Sequence, residues 1–363
     1  MKVVAIGGGT GLSTLLRGFK LHWPAPPQRG DGSPFISGLT AIVTVTDEGG
    51  SSGRLRKDFR ILPPGDIRNC LVALAEDETL FAKLFDYRFK SGTGLRGHSF
   101  GNLFLTALTD ITHDFAKAVR VSSEVLAVQG EIFPSTLSDV RLKAWLANGR
   151  TLTGESRINK TPTPIRRLQL VPRRAKPLPD ALAAIEQADL ITVGPGSLYT
   201  SLIPNLLVGG IARAIARSQA LKVYVCNLMT QPGETRGYTA ADHVRALHEH
   251  AGSPLFDFVI LNTAGFPGRM RRRYQEEHAE PVVNDLERVL ALRVHPVLAD
   301  LVADDRVARH NSRRLVQLLL EMASGRLAGR GSKRAGTRSS GNMQAARTAQ
   351  PKPCPDGPPR EFR

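Results

Sequence analysis

The amino-terminal stretch constrains the fold more than any other part of the 363-residue chain. Val3–Ile6 is a short apolar run rich in β-branched residues, and the glycine-rich segment Gly7–Gly11 follows it directly. An apolar, helix-like pattern then begins at Leu12. A strand, a glycine turn and an amphipathic helix in this order indicate a parallel α/β sheet. Such a turn lets a ligand approach the backbone, and the first amides of the helix favour an anion, usually a phosphate.

The same strand–loop–helix order recurs along the chain. Leu39–Val45 is a second predicted strand, and Leu190–Val193, Lys222–Cys226 and Phe256–Leu261 are three more. Because the carboxyl ends of parallel strands lie at one edge of a sheet, their polar loops converge there, near the point where the strand order reverses. The sequence therefore predicts an α/β fold with a mainly parallel sheet and a site built from the loops at 7–11, 46–53, 194–201, 227–235 and 262–263.

Two segments differ from this pattern. Residues 131–180 contain short strand-like pieces, such as Glu131–Phe133, interleaved with Pro and Arg, which predicts a small lobe or an insertion between two halves of the sheet. Residues 326–363 are rich in Gly, Ser, Pro, Arg and Ala, and carry nine Lys or Arg against two Asp or Glu. We predict one domain over residues 1–325 and a disordered basic tail over 326–363. The tail either is solvated without a dedicated partner or contacts an anionic partner loosely.

Composition limits the classes of protein that remain. No apolar stretch reaches the roughly 20 residues that span a bilayer, and the run before Gly7 is too short for a signal peptide, so we expect a cytoplasmic protein. Cys70, Cys226 and Cys354 are widely spaced and indicate neither a disulfide framework nor a metal knuckle. The net charge of +16, of which the tail carries seven, favours an anionic ligand without identifying it.

The first glycine loop does not fit the common nucleotide motifs. Gly7-x-Gly9-x-Gly11 is not the dinucleotide-binding spacing, and no Gly-Lys-Ser or Gly-Lys-Thr follows it as in a Walker A loop. Gly7–Gly11 either binds a phosphate in another way or is a tight strand–helix turn that binds no ligand.

The second loop is more specific. Asp47 and Glu48 stand directly before Gly49–Gly53, where two carboxylates can hold Mg²⁺ or accept hydrogen bonds from a sugar hydroxyl. Arg54 or Arg56 would neutralise phosphate oxygens. The alternative is that Asp47 or Glu48 caps the following helix.

A third set of polar side chains lies at the two predicted helices that follow. Asp66 fits a helix N-cap, with Arg68 and Asn69 in the exposed first turn. His98 and Asn102 are four residues apart and share a face of a predicted helix. They are either an acid–base group and a hydrogen-bond donor or packed supporting residues.

Six ordered motifs resemble those of a known family, the YvcK-type gluconeogenesis factors within the CofD-like superfamily of 2-phospho-lactate transferases. The resemblance covers nearly all of the chain to about residue 322. The matching segments are Gly7–Gly11, Val43–Arg56 (VTVTDEGGSSGRLR), Leu62–Cys70 (LPPGDIRNC), Gly97–Asn102 (GHSFGN), Val193–Leu207 (VGPGSLYTSLIPNLL) and Val223–Thr235 (VYVCNLMTQPGET).

This resemblance implies a Rossmann-like three-layer α/β/α fold with a nucleotide-type ligand at the strand edge. In the transferase branch, the site handles a nucleotide-activated phospholactate, a deazaflavin acceptor and a divalent metal. The YvcK-type branch is associated with UDP-sugars, notably UDP-N-acetylglucosamine, and with cell shape and envelope synthesis on gluconeogenic carbon sources. The family usually has two aspartates where this chain has Asp47 and Glu48. The longer Glu48 side chain would shift or abolish metal binding.

We therefore predict a cytoplasmic nucleotide-sugar-binding regulator without turnover. The alternatives are a phospholactate-type transferase, with Asp47, Asp66 or His98 as catalytic candidates, and a nucleic-acid-binding protein acting through its basic tail. Asp47 is the candidate ligand for Mg²⁺, Asp47 and Asp66 would handle the ribose or the metal, and self-association stays open. The predicted ligand-binding residues are Gly8, Gly9, Thr10, Gly11, Asp47, Gly50, Ser51, Ser52, Arg56, Asp66, Arg68, Asn69, Asn102, Gly194, Gly196, Ser197, Asn227, Thr230 and Gln231.

Overall fold

The computed structural model describes residues 1–23, 36–76, 80–305 and 307–335. The chain divides into two compact units, Met1–Ser324 and Gly325–Arg363. The first unit contains every strand found in the described ranges. These strands are β1 (Lys2–Gly7), β2 (Gly38–Val43), β3 (Glu131–Pro134), β4 (Arg141–Leu146), β5 (Thr151–Thr153), β6 (Ile165–Val171), β7 (Leu190–Val193), β8 (Leu221–Val225), β9 (Phe258–Asn262) and β10 (His295–Ala299).

Seven of these strands form one sheet in the order β10-β9-β8-β7-β1-β2-β3, and every neighbouring pair is parallel. The central strand β1 pairs with β2 through Ala5 and Ala41, and with β7 through Ala5 and Thr192. The α/β class and the parallel sheet predicted from the sequence are confirmed. From β1 the chain proceeds outward to β2 and β3 on one side, whereas β7 to β10 extend on the other. The strand order therefore reverses between β1 and β7, where doubly wound sheets bind their ligands.

Helices cover both faces of the sheet, as expected for strands that are apolar on both sides. They are α1 (Gly9–Lys20), α2 (Gly50–Phe59), α3 (Gly65–Leu74), α4 (Leu80–Asp86), α5 (Phe100–Thr112), α6 (Phe115–Val125), α7 (Glu155–Ile158), α8 (Pro179–Gln187), α9 (Ile203–Leu207), α10 (Ile211–Arg217), α11 (Ala240–Ala251), α12 (Gly268–Glu276), α13 (Leu286–Ala291) and α14 (Ser312–Ala335), with a π-helical turn over Leu198–Leu202 before α9.

A second, smaller sheet lies between β3 and β7 in the chain. Its strands are antiparallel in the order β5-β4-β6. In β4 the side chains of Leu142, Ala144 and Leu146 are buried and alternate with more exposed residues, the pattern of a sheet with one face on a core. Glu131–Phe133 was predicted as part of this lobe, but β3 pairs with β2 at the edge of the main sheet.

Two further differences concern the carboxyl-terminal third. Strand β10 was not predicted, because its short run contains Pro296 and proline argues against a central strand; β10 is an edge strand of the sheet. Helix α14 continues to Ala335, so residues 326–335, assigned by composition to a disordered tail, are helical. The rest of the predicted tail, residues 336–363, and most of the Pro/Gly loop, residues 24–35, lie outside the described residues.

Within the described ranges, no single helix is long and apolar enough to cross a membrane. One bent pair, Leu198–Leu207 followed by Ile211–Arg217, passes that test on length and composition only. Much of this pair is buried in the protein core, including Leu202, Ile203 and Ile215.

The amphipathic face of α1 anchors the glycine loop to the sheet. Leu12, Leu15, Leu16 and Phe19 are at most 1% exposed. We predict that Leu16→Ala lowers the free energy of unfolding by about 2–5 kcal/mol, because it removes buried methyl groups and leaves a cavity. Urea denaturation measures this change. Ile111→Ala, at a helix position 74% exposed, is the control and should cost less than about 1 kcal/mol. Equal losses in the two variants would contradict the assigned core.

Candidate functional site

A cavity of about 370 Å³ opens where the strand order reverses. We call it the switch-point crevice. The loops after β1, β7 and β8 form its walls, and residues from α12, from the segment before α14 and from the first turn of α14 complete it. Its lining residues are Gly8, Gly9, Thr10, Gly11, Thr14, Leu15, Pro195, Gly196, Ser197, Ser201, Asn227, Leu228, Met229, Thr230, Gln231, Tyr274, Val307, Ala308, Arg309, His310, Ser312 and Leu315.

The glycine loop brings the amino end of α1 to this crevice. Gly8 is the N-cap and offers no side chain to the helix amides, while Gly9 has a φ of +63°, a conformation that favours glycine. A Cβ atom on Gly11 would collide with the carbonyl oxygen of Pro195, so glycine allows the two loops to touch. The amides of a helix's first turn have no intrahelical acceptor. The backbone therefore presents donors and a partial positive charge to an anion in the crevice.

The facing wall is held by side chains that follow β8. The Gly196 amide donates to Asn227 Oδ1 at 3.2 Å, and Gln231 Nε2 donates to Ser197 Oγ at 2.8 Å. Gln231 Oε1 is buried without a hydrogen-bond partner. Since buried polar atoms are nearly always paired, this oxygen is an acceptor available to a ligand.

Three residues on the rim were not predicted from the sequence. The Tyr274 hydroxyl accepts the amide of Ala308 at 3.0 Å, and Arg309 is half-exposed, with its guanidinium 3.2 Å from Asp305. His310 donates through Nε2 to the Cys226 carbonyl at 3.1 Å. Burial lowers the pKa of His310 to about 4, so the imidazole is neutral at pH 7. Tyr274 lies in α12, and Arg309 and His310 follow β10; neither element was predicted from the sequence, so these residues were not found.

A second cavity, of about 270 Å³, lies beyond β2. We call it the polar pocket. The amino ends of α2 and α3 both reach it, and neither helix has a side-chain cap. Its lining residues are Asp47, Gly49, Gly50, Ser51, Ser52, Gly65, Asp66, Arg68, Asn69, Arg88 and Asn102.

One wall of the polar pocket is a buried hydrogen-bonded cluster. Ser51 Oγ lies 2.9 Å from His98 Nδ1 and accepts from Asn102 Nδ2 at 3.1 Å. Burial, followed by the charge of Arg54, lowers the pKa of His98. The sequence placed His98 and Asn102 on one helix face, but α5 begins at Phe100, so His98 precedes the helix. Both residues nevertheless meet at Ser51, and His98 stands behind it rather than in the pocket lining.

Three carboxyl groups, those of Asp47, Asp66 and Glu155, lie close enough for their charges to interact. Burial, and then the charge of Asp47, raises the pKa of Asp66 to about 7. The same two causes in the same order raise the pKa of Glu155 to about 7. Glu155 comes from α7, next to the small sheet, and was not predicted. Among the described residues, no group of three or more His, Cys, Asp or Glu side chains has the arrangement of a metal site.

The capping interpretations of these acids are wrong. Pro64, not Asp66, is the N-cap of α3, so the Asp66 carboxylate is free to accept the backbone N–H of Gly9. Gly49 is the N-cap of α2, and Asp47 Oδ1 accepts its amide at 2.8 Å without capping the helix.

Several predicted residues lie outside both cavities. Arg56 is 6% exposed, pairs with Asp139 and donates to the Val140 carbonyl at 2.6 Å. Glu48 lies 3.9 Å from Arg56 and 3.9 Å from Arg141, rather than in the polar pocket. Gly194 packs against the Val225 carbonyl, behind the crevice. The remaining predicted ligand-binding residues divide between the crevice and the polar pocket.

The parallel sheet and the crevice at its switch point define a doubly wound α/β protein. Residues 3–302 match the model of the family 2-phospho-L-lactate transferase CofD. A Bacillus subtilis protein named Gluconeogenesis factor is 46% identical over 322 residues, covering 88% of this chain and 98% of that protein. A Halalkalibacterium halodurans protein of the same name is 47% identical over 320 residues, covering 88% of this chain and 95% of that protein.

A solved crystal structure also resembles this chain. The crystal structure of protein BH3568 from Bacillus halodurans superposes with a TM-score of 0.83 at 46% identity, covering 88% of this chain and 99% of that one. The chain belongs to the CofD family, and its similar relatives are gluconeogenesis factors. The resemblance given by the sequence motifs is confirmed.

We predict that acid destabilises the protein partly through His310. Its pKa in the folded state, about 4, lies below the ordinary value of 6.5. The stability that comes from a neutral His310 is therefore present above pH 6.5 and is lost as the pH falls toward 4. Relative to His310→Gln, the wild type should lose about 3 kcal/mol between pH 7 and pH 4, measured by urea denaturation. Parallel pH profiles for the two proteins would contradict a buried neutral His310.

Proposed function

We propose that this protein binds a nucleoside diphosphate sugar of the uridine type in the switch-point crevice and acts as a regulator in envelope synthesis and cell shape during gluconeogenic growth. The main supporting observation is the amino end of α1, which has no side-chain cap and lies against the Pro195–Ser197 loop at the switch point. The cellular role rests on the resemblance to the YvcK-type branch. The cytoplasmic location stays a prediction of the sequence.

The diphosphate would lie between the two glycine loops. Thr10 and Gly11 supply first-turn amides of α1, and the N-cap Ser197 begins the π-helical turn on the other side. The close approach of these loops, which Gly11 permits, excludes bulky side chains from the space that phosphate oxygens would fill. Backbone amides bind a dianion without a buried lysine, which suits a crevice where, among the described lining residues, the cationic side chain is the half-exposed Arg309.

The base would lie against Asn227–Gln231. Gln231 Oε1 is the unpartnered acceptor on this wall, and the N3–H of uracil is a donor of matching kind. A purine such as guanine also has ring N–H donors, so the choice of uracil rests on the family resemblance.

Asp47 is the proposed Mg²⁺ ligand. Mg²⁺ is commonly bound by one or two carboxylates together with water and substrate phosphates. Asp47 and Asp66 fit that donor set, because both line the polar pocket next to the glycine loop. An ion bound there would offset the negative charge of Asp47, which otherwise raises the pKa of Asp66. Glu48 lies beside two arginines and is not needed for this site.

A ligand screen tests the proposed function. We expect UDP and UDP-sugars to raise the melting temperature and to bind by titration calorimetry more tightly than GDP, NAD or ATP. Gln231→Ala should weaken UDP and UDP-sugars alike by about tenfold, because each loses a hydrogen bond in a buried site. Gln317→Ala, whose side chain pairs with Glu321 on α14, is the matched control and should bind as the wild type does. A wild type that responds to no uridine nucleotide would refute the proposal.

A second candidate function is a phospholactate-type transferase. Two observations favour it: the family match over residues 3–302, and two carboxyl groups, Asp66 and Glu155, whose pKa values near 7 suit proton transfer at neutral pH. In such a reaction the hydroxyl oxygen of the acceptor would attack phosphorus. One of these carboxylates would take the hydroxyl proton, and the nucleotide would leave.

Turnover separates the two candidates. The transferase predicts Mg²⁺-dependent conversion of a deazaflavin acceptor with nucleotide-activated phospholactate, measured by chromatography, and its loss in Asp47→Asn. The regulator predicts no conversion by the wild type. Asp110→Asn, which changes an exposed carboxylate on α5, controls for the change of charge and should match the wild type.

A further inference from the structure

We infer that the polar pocket is the subsite for the hexose of the nucleoside diphosphate sugar, with Asn102 and Arg68 as the side chains that bind its hydroxyl groups. This inference rests on the proposed function and adds a position and a chemistry for the sugar.

The strand order places the loops of the site in a line. Along the edge of the sheet, the loops follow β8, β7, β1 and β2 in that spatial sequence. The proposed base wall follows β8, the diphosphate loops follow β7 and β1, and the polar pocket follows β2. Adjacent strands lie about 4.8 Å apart, so these four loops span about 14 Å. An extended nucleoside diphosphate sugar has the same linear order of parts, which places the hexose, rather than the ribose, at Asp66.

Asp66 joins the two cavities. Its carboxylate accepts the N–H of Gly9 in the glycine loop, and the residue also lines the polar pocket. A Cβ atom on Gly8 would lie 2.6 Å from Asp66 Oδ2 and 2.7 Å from Thr44 Cγ2, so the glycine loop is packed directly against this wall. A group attached to a phosphate at the amino end of α1 therefore enters the polar pocket beside Asp66.

Two buried polar side chains of the pocket have atoms without partners. Asn102 is 2% exposed; Nδ2 of its amide donates to Ser51, and its Oδ1 has no partner. Arg68 is 8% exposed, and its Nε also has no partner, while its other nitrogens bind Asp86 and Asn69. Buried groups of this kind are nearly always satisfied, so both atoms indicate a ligand with donors and acceptors.

A sugar hydroxyl meets both requirements. Each hydroxyl donates one hydrogen bond and accepts others, so neighbouring hydroxyls can satisfy the Asn102 oxygen and the Arg68 Nε–H together. The pocket is also lined by Asp47, Asp66, Arg68 and Arg88, and a lining that carries both charges offers acceptors and donors to the hydroxyls of a neutral polyol. The Ser51 and His98 side chains hold the Asn102 amide in place from behind.

Paired titrations test the subsite. We expect the wild type to bind UDP-glucose or UDP-N-acetylglucosamine at least about tenfold more tightly than UDP. In Asn102→Ala, affinity for the UDP-sugar should fall about tenfold, whereas affinity for UDP should change less than about twofold. Gln231→Ala is the matched variant in the crevice, and it should lower both affinities by the same factor. Equal losses of UDP and UDP-sugar in Asn102→Ala would overturn the inference.

If Asn102→Ala does not fold, the wild-type protein itself tests the subsite. Saturation-transfer NMR with UDP-N-acetylglucosamine should saturate the hexose ring protons as strongly as the uracil protons. Weak saturation of the hexose alone would overturn the inference and leave the proposed function standing. Absence of binding by both UDP and UDP-sugar would instead refute the proposed function, and the subsite with it.

Discussion

The close packing of two glycine loops at the switch point is the constraint on which the site depends. Gly11 touches the Pro195 carbonyl, and Gly8 packs against Asp66 and Thr44. These contacts bring the ends of β7, β1 and β2 together and turn the amino end of α1 toward the crevice. Larger residues at either glycine would separate the loops. The apolar face of α1 and the sheet hold this arrangement from below.

Several features that are costly for stability lie at the same edge of the sheet. Three helices, α1, α2 and α3, begin there without a side-chain cap. Asp66 and Glu155 are held beside Asp47 with raised pKa values, and polar atoms of Gln231, Asn102 and Arg68 lack partners. Proteins retain such violations mainly at functional sites, because a ligand satisfies what the fold leaves open. The order in which these groups follow one another along the sheet edge, from β8 to β2, supports a single extended ligand.

The sequence predicted the central strands because they are buried on both faces and therefore read as apolar runs that end in polar loops. It failed at β10, a short edge strand interrupted by Pro296, and also at Arg309 and His310, which follow that strand in the chain. Glu155 could not be found, since the small sheet brings it to the site from far along the chain. Residue type alone placed Arg56 at a phosphate, whereas the fold buries it against Asp139.

A crystal structure of the protein with UDP-N-acetylglucosamine tests the proposed ligand position most directly. We expect uracil against Gln231, the diphosphate on the amides of Thr10 and Gly11, and the hexose beside Asp66 and Asn102. A uracil ring in the polar pocket, or a diphosphate away from the amino end of α1, would contradict it.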